Sequence, residues 1–325
     1  MKLGIIHNSA EPDLMVTFLE SSFSKKGIDI DLIHIDSLLG INGSTTNEAA
    51  IQKLLAENYK GVFNRVVPSS ATSPQINCVL ETTSQLEDQR LPVLNPVKSS
   101  QTDYSKYQAY QTLKAAGVST PETILITDYN ACQAFVERFG LPLVVKDDQS
   151  GTGVSVQKIT TASELEEVTK STLQGNKARI LQEFIHPIRA HDCRVTIVNG
   201  ELLFTYGRTL ADHGGVGWKG SKTAGSSFIE YTAAPEEINL ALRSTKAINA
   251  GTNAADVYFS ERGPVIIENN PTPGYITGRL DLWGKKGNAI VDLTLSWLDQ
   301  RREELVVPVV KPAVAKKYSI PHYSR

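Results

Sequence analysis

Over residues 1–97 the hydrophobic positions alternate between two periods. Leu3–His7 is a short, mostly apolar run of the kind a buried strand carries. Leu14–Lys26 repeats its apolar residues at helical spacing and stops at Gly27, a residue that ends helices readily. Ile28–Ile35 predicts a second strand, Glu48–Asn58 a helix, Gly61–Val67 a third strand and Asn77–Gln89 another helix, ahead of Pro92-Val-Leu-Asn-Pro96. Strands separated by helical segments imply a parallel sheet with helices on its faces.

A second unit starts at Lys98. Lys106–Ala116 reads as a helix stopped by Gly117, and Val118-Ser-Thr-Pro leads into a strand. Asn130–Phe139 is helical and closed by Gly140. Leu141–Lys146 and Val154–Ile159 are strands on either side of a Gly-rich stretch. Ser163–Lys170 predicts a helix, with Ser163 and Glu166 at capping-box spacing, and Ile180–Ile185 a strand. From about residue 186 the pattern turns antiparallel. Cys193–Val198 and Glu201–Tyr206 flank Asn199-Gly200, a strong hairpin signal. Pro235–Ala250 is a helix, two short strands follow around Gly263-Pro264, and Asn288–Arg302 is a final helix. The expected fold class is α/β, becoming α+β in the C-terminal part. The expected division is 1–97, 98–185, 186–303 and a tail, 304–325.

Composition adds limits. The chain has 325 residues, of which 41% are hydrophobic and 21% charged, ordinary for a globular protein with real cores. A net charge of −2 gives no basic field for nucleic acid, and no apolar stretch approaches bilayer length. The three cysteines, Cys78, Cys132 and Cys193, are scattered, without a CxxC pair. Such usage suits a reducing compartment. The start, Met1-Lys-Leu-Gly-Ile-Ile-His7, reads as a strand rather than a signal peptide. A cytoplasmic location is therefore expected.

The candidate chemistry lies late in the chain. Folding Asp256–Asn270 at Arg262 sets Asp256 across from Glu268, and Asn270 shares a face with Glu268. Three oxygen ligands on one point suit a hard cation such as Mg²⁺, which in turn commonly holds nucleotide phosphates. Carboxylates at a strand end also occur as solvated edges. The apolar run Val265-Ile266-Ile267 favours the metal, because an acid closing a buried strand needs a partner. Lys146 precedes Gln149-Ser-Gly-Thr-Gly-Val154, where backbone N–H groups can approach phosphate oxygens. The spacing is not that of a P-loop.

The order of these features resembles the ATP-grasp superfamily, and more narrowly its RimK-type and glutathione-synthetase-like carboxylate–amine ligases. "LPLVVKDDQSGTGVSV" is similar to the family's second lysine and phosphate lid, and "ILQEFI" to its adenine hinge. "HDCRVTIVNGEL" is similar to the next hairpin, and "IIENNPTPG" to the metal-binding end. The likeness covers about residues 95–300. It implies a two-subdomain ATP-grasp fold after an N-terminal parallel-sheet domain.

The resemblance also implies roles. Lys106, Lys146, Ser150, Gly151 and Gly153 would hold ATP phosphates. Glu183, Phe184 and Ile185 would line the adenine site, with Asp192 at the ribose edge. Arg194 and Arg208 would face the γ-phosphate and an acyl phosphate, and Asp256, Glu268 and Asn270 would hold Mg²⁺ or Mn²⁺. For Arg194 and Arg208 to share a face, the hairpin at Asn199-Gly200 needs a bulge, and Gly207 is the expected place. The family's Arg-Ser-Asn run after the second arginine is absent. Asp212–Lys222 stands there instead, with Lys219 and Lys222 as replacement charges or as parts of a loop with no role. Arg65 and Arg279 are candidates for gripping substrate carboxylates. The implied reaction joins a small-molecule or peptide carboxylate to an amine through an acyl phosphate, with an amino acid as one substrate. A synapsin-like Mg-ATP binder without turnover, or a ligase of another pathway in the superfamily, is the alternative. A homodimer or homotetramer is the expected assembly.

Overall fold

The computed structural model describes residues 1–10, 14–40, 46–149, 155–212, 215–221, 224–273 and 280–306. Ser150, Gly151, Gly153, Lys222 and Arg279 lie outside them, as does most of the expected tail. Four strands, β1 (Lys2–His7), β2 (Asp29–His34), β3 (Gly61–Arg65) and β4 (Val93–Leu94), form a parallel sheet in the order β2-β1-β3-β4. Helices α1 (Leu14–Ser24), α2 (Glu48–Ala56) and α3 (Ser73–Asp88) connect them. The third helix starts earlier than its apolar period predicts. Thr72 accepts from the Gln75 N–H, the Gln75 side chain returns the bond to the Thr72 N–H, and Pro74 fits the first turn.

Helix α4 (Val97–Tyr104) was not expected, because its sequence, VKSSQTDY, has little apolar periodicity. Tertiary contacts hold it: Tyr104 is fully buried and its hydroxyl donates to the Val66 carbonyl at 2.9 Å. Helix α5 (Lys106–Ala115) follows at once.

A second sheet is antiparallel, ordered β5 (Thr123–Leu125), β8 (Arg179–Glu183), β6 (Leu143–Asp147), β7 (Gln157–Ile159). Helices α6 (Tyr129–Phe139) and α7 (Ala162–Gln174) pack on it through Phe135, Leu165 and Val168. The capping box of α7 sits two residues before the expected one. Thr161 caps it with Glu164, whose carboxylate also accepts from the backbone of Thr160.

The third sheet is antiparallel, in the order β13 (Phe228–Ile229), β10 (Glu201–Thr209), β9 (His191–Val198), β14 (Thr252–Ser260), β15 (Gly263–Asn270). Beside it lies a small hairpin, β11 (Ala211–Asp212) and β12 (Gly215–Val216). One face carries Cys193, Val195, Ile197, Ala255, Val257 and Ile266 against α8 (Pro235–Ala247). The opposite face packs Val198, Phe204 and Tyr206 with the first sheet's Leu3, Ile5 and Phe63, and with Ile290, Val291 and Leu298 of α9 (Leu280–Val306).

Two bulges decide what this second face presents. A strict two-residue turn at Asn199-Gly200 would pair Arg194 with Thr205 and put Arg208 on the far side. Pairing does begin that way, Leu202 with Ile197, but Phe204 then pairs with Thr196 and Leu203 is extra. The slip brings Tyr206 opposite Arg194 and Arg208 opposite Asp192. The expected bulge therefore exists, at Leu203 and not at Gly207. Leu203 is the better site because its side chain gains a buried place in the core. Gly207 instead makes room for β13, since a Cβ there would lie 2.7 Å from Ile229 Cγ1. In the β14–β15 hairpin the chain turns at Glu261-Arg262, Val257 pairs with Ile266, and Asp256 pairs with Glu268, leaving Ile267 extra.

Asn95 joins the first sheet to the third. Its amide nitrogen donates to the carbonyls of Thr252 (3.1 Å) and Pro271 (2.6 Å), and its oxygen accepts from the N–H groups of Gly251 (2.7 Å) and Thr252 (2.9 Å). Arg65, buried at the end of β3, donates to the Pro273 carbonyl at 3.1 Å. These bonds fix the end of β15 against the first sheet. No helix of the described residues is long and apolar enough to cross a membrane.

Candidate active site

The register of the third sheet writes out the site in rows. One row crosses four strands on one face: Tyr206, Arg194, Asp256 and Glu268. The row below is Phe204, Thr196, Ala254 and Asn270, and above it Arg208 faces Asp192. Cross-strand neighbours on one face lie within contact distance, so the charges meet directly.

They meet as a buried ion network. Arg194 clamps Asp256 with Nε at 2.6 Å from Oδ1 and Nη2 at 2.8 Å from Oδ2. Arg208 reaches the same carboxylate at 2.9 Å and also holds Asp192, with Nη2 at 2.5 Å from Oδ2. Burial opposes charge on Asp256, yet the two guanidinium groups hold its carboxyl below the usual range. Burial pushes the Asp192 carboxyl upward against the pull of Arg208. Planar guanidinium forks suit such bidentate clamps.

Asp192 belongs to this buried network. It is 1% exposed and turned to Arg208, since a carboxylate so buried needs a counter-charge. Gly220 closes over it: a Cβ there would sit 1.9 Å from Asp192 Oδ2. Glu183 is paired as well. Both of its carboxylate oxygens accept from Arg262, at 2.9 and 3.0 Å.

Phe184 is half-buried, 5.5 Å from the Trp218 ring, and the Lys158 ammonium lies 5.5 Å from both ring centres. Ile185 packs with Leu210, Tyr258 and Val265. Lys219 donates to the Val156 carbonyl at 2.8 Å and lies over the Trp218 ring, tying its segment to the approach to β7. That engagement gives the segment a structural role beside any role in binding.

The two lysines converge on Glu268. Lys106, the first residue of α5, lies 3.9 Å from it. Lys146, near the end of β6, donates to Gln182 Oε1 at 2.8 Å. Burial pulls the Lys146 ammonium down to about 8, and Lys106 adds to this against the attraction of Glu268 and Asp256. Asp148 sets the lysines' relative position. Its backbone carbonyl accepts from the Lys106 N–H, and its carboxylate from the Tyr107 N–H (2.8 Å) and the Ser105 hydroxyl (2.9 Å). The chain leaving Lys146 thus caps the helix that carries Lys106.

Asp256, Glu268 and Asn270 share one face of the sheet, and their ligating atoms are all oxygens. Asn270 donates from its amide nitrogen to the Ala254 carbonyl at 3.0 Å, and its side-chain oxygen is the atom able to ligate a cation. Two carboxylates and one amide oxygen suit Mg²⁺.

Asp103 was missed from the sequence. It accepts from the Thr272 hydroxyl, and burial pushes its carboxyl up to about 7, with Glu268 adding to the shift and Arg65 and Lys106 opposing it. Tyr206 and Asp148 were missed as well. Asp148 had a signal in its place two residues after Lys146, whereas Asp103 and Tyr206 had none.

A model of the RimK-like ATP-grasp domain matches residues 103–281, more than half of the chain. The chain belongs to the RimK-like ATP-grasp family. A probable alpha-L-glutamate ligase of Xylella fastidiosa (strain M12) is 30% identical over 184 residues, which are 55% of this chain and 59% of the relative. The match thus spans less than two thirds of that relative's length. A RimK domain protein of Sphaerobacter thermophilus has the same fold, with a TM-score of 0.65 at 18% identity over 89% of this chain and 98% of the other. D-alanine–D-alanine ligase of Bacillus anthracis superposes with a TM-score of 0.68 at 17% identity, covering 94% and 99% of the two chains. The same enzyme complexed with ATP gives 0.67 at 16% identity, over 94% and 99%. The RimK-like segment begins at Asp103, just ahead of Lys106, and takes in the whole charged network, through Asn270.

Proposed function

We propose that this protein is an ATP-dependent ligase that joins a carboxylate to an amine through an acyl phosphate, with an amino acid as one substrate. The observation that carries this is the convergence of two lysines and two arginines on Asp256 and Glu268 in a RimK-like ATP-grasp chain. The glutamate-ligase relative supports the amino acid, and the ATP complex of the B. anthracis ligase supports the nucleotide.

A carboxylate oxygen attacks the γ-phosphorus, the bond to ADP breaks, and an acyl phosphate forms. The amine then attacks the acyl carbon, phosphate leaves with its bonding electrons, and the amine gives up a proton as the amide forms. Lys106 and Lys146 hold the phosphates as point charges. Arg194 and Arg208 exchange Asp256 and Asp192 for the oxygens of the transferred group and spread their charge. Asp256, Glu268 and Asn270 would hold Mg²⁺, which when bound neutralises phosphate charge. The Gly-rich stretch between β6 and β7, with Ser150, Gly151 and Gly153, is the phosphate lid that excludes water. Phe184 and Ile185 border the adenine. Arg65, at the carboxyl end of β3, and Arg279 would grip the substrate carboxylates.

The test is ADP and phosphate release from Mg-ATP across pairs of acids and amines, L-glutamate included, with Glu268→Gln as the blank. Release that needs both partners and falls at least about 100-fold in the blank is expected, equivalent to about 2.7 kcal/mol of transition-state stabilisation. Nucleotide binding with no turnover for any pair would favour the synapsin-like binder.

A further inference from the structure

Tyr206 lies in the same row as Arg194, Asp256 and Glu268, yet it takes no part in the clamp on Asp256. It is 1% exposed, and its ring is fixed edge-on to Phe228 at 5.7 Å and near Phe204 at 6.4 Å. Its hydroxyl is buried and finds no acceptor for its proton among the described residues, Arg194 being able only to donate to it. A buried phenol normally finds one, because leaving the group unsatisfied is costly. The charged groups that face it are Arg194, Arg208 and Asp256. The arginines have only protons to offer. Asp256 already accepts from Arg194 Nε (2.6 Å), Arg194 Nη2 (2.8 Å) and Arg208 Nη2 (2.9 Å). The hydroxyl proton therefore stands beside two cations and lacks an acceptor.

We propose that Tyr206 is a further catalytic residue, whose hydroxyl donates a hydrogen bond to an anionic oxygen of the phosphoryl group that Arg194 and Arg208 bind. The inference rests on the ligase reading and adds a donor to it. An anion drawn between the arginines supplies the acceptor that the free protein lacks, so the bond forms only with the reacting group in place. Interactions made only there raise turnover rather than ground-state affinity.

Tyr206→Phe removes this one oxygen and keeps the ring packing. In the free protein its urea midpoint should equal or slightly exceed that of the parent chain. Thermal stabilisation by Mg-ADP with orthovanadate, a mimic of the transferring phosphoryl group, should shrink, while that by Mg-ADP alone should not. Turnover should fall on the order of 10- to 100-fold, below the 10²–10³ of a full oxyanion-hole donor, with KM for ATP within about twofold. A lower urea midpoint in the free protein would give the hydroxyl a structural bond and overturn the proposal. An unchanged vanadate response and turnover would overturn it too. Those results leave an active parent enzyme, whereas absence of turnover in the parent itself would sink the ligase reading.

Discussion

Among single residues, the site stores charge in an unfavourable place. Lys146 lies inside, beside Lys106, and burial brings its ammonium down to about 8. A bound polyphosphate reverses this, because an anion favours the charged lysine. Nucleotide binding at pH 8.5 should therefore take up roughly three quarters of a proton, and only about a tenth at pH 7, where the lysine is mostly charged already. Calorimetry in buffers of different ionisation enthalpy measures this directly. Equal uptake at both pH values, or release at pH 8.5, would contradict the assignment. The sign for the fold runs the same way: the unfolded lysine binds its proton more tightly, so this group's contribution to stability improves as pH rises from about 8 toward 10.5. Much of the site was legible residue by residue, because lysines, arginines and acids in family order are strong signals. What stayed hidden was each group's partner. Asp192 and Glu183 turned to Arg208 and Arg262, which lie 16 and 79 residues away, and sequence spacing does not register that.

Among the elements, catalytic geometry depends on two extra residues, Leu203 and Ile267. Each moves a strand by one position and so exchanges its faces. The need for a bulge in the first hairpin follows from counting residues between Arg194 and Arg208. Its position does not, because glycine is only one of the residues a bulge accepts. The packing of a leucine against the first sheet decided it. Inserting one residue after Leu203 should send Tyr206 and Arg208 to the α8 side and abolish turnover, whereas deleting Leu203 leaves Tyr206 opposite Arg194. Leu203→Ala keeps the bulge and should retain turnover at a stability cost of about 2–5 kcal/mol. Denaturation midpoints read alongside activity separate the two. An insertion that remains active would show that the register is not the controlling feature. Helix α4 was illegible for a different reason, since its few buried positions are set by tertiary contacts such as Tyr104 with Val66.

Across the molecule, three sheets contribute different parts of one site. The second sheet brings Lys146 and, through Asp148, orients Lys106. The third brings the arginines and the oxygen ligands. The first supports the end of β15 through Asn95 and Arg65. The alternation of strands and helices in residues 1–97 and the antiparallel turn after residue 186 were both readable from hydrophobic period. The seam was not, since Asn95 looks like an ordinary loop amide and its four bonds join segments more than 150 residues apart.

The ligase reading stands on phosphorylation of a carboxylate on the way to an amide. Supplying the acid substrate with ¹⁸O in both carboxylate oxygens, and weighing the released phosphate by mass spectrometry, follows that oxygen. An acyl-phosphate route delivers one ¹⁸O atom into each phosphate, because the oxygen that attacked the γ-phosphorus leaves with it. Phosphate without label, formed at the same rate as product, would contradict the route and assign the ATP cleavage to water.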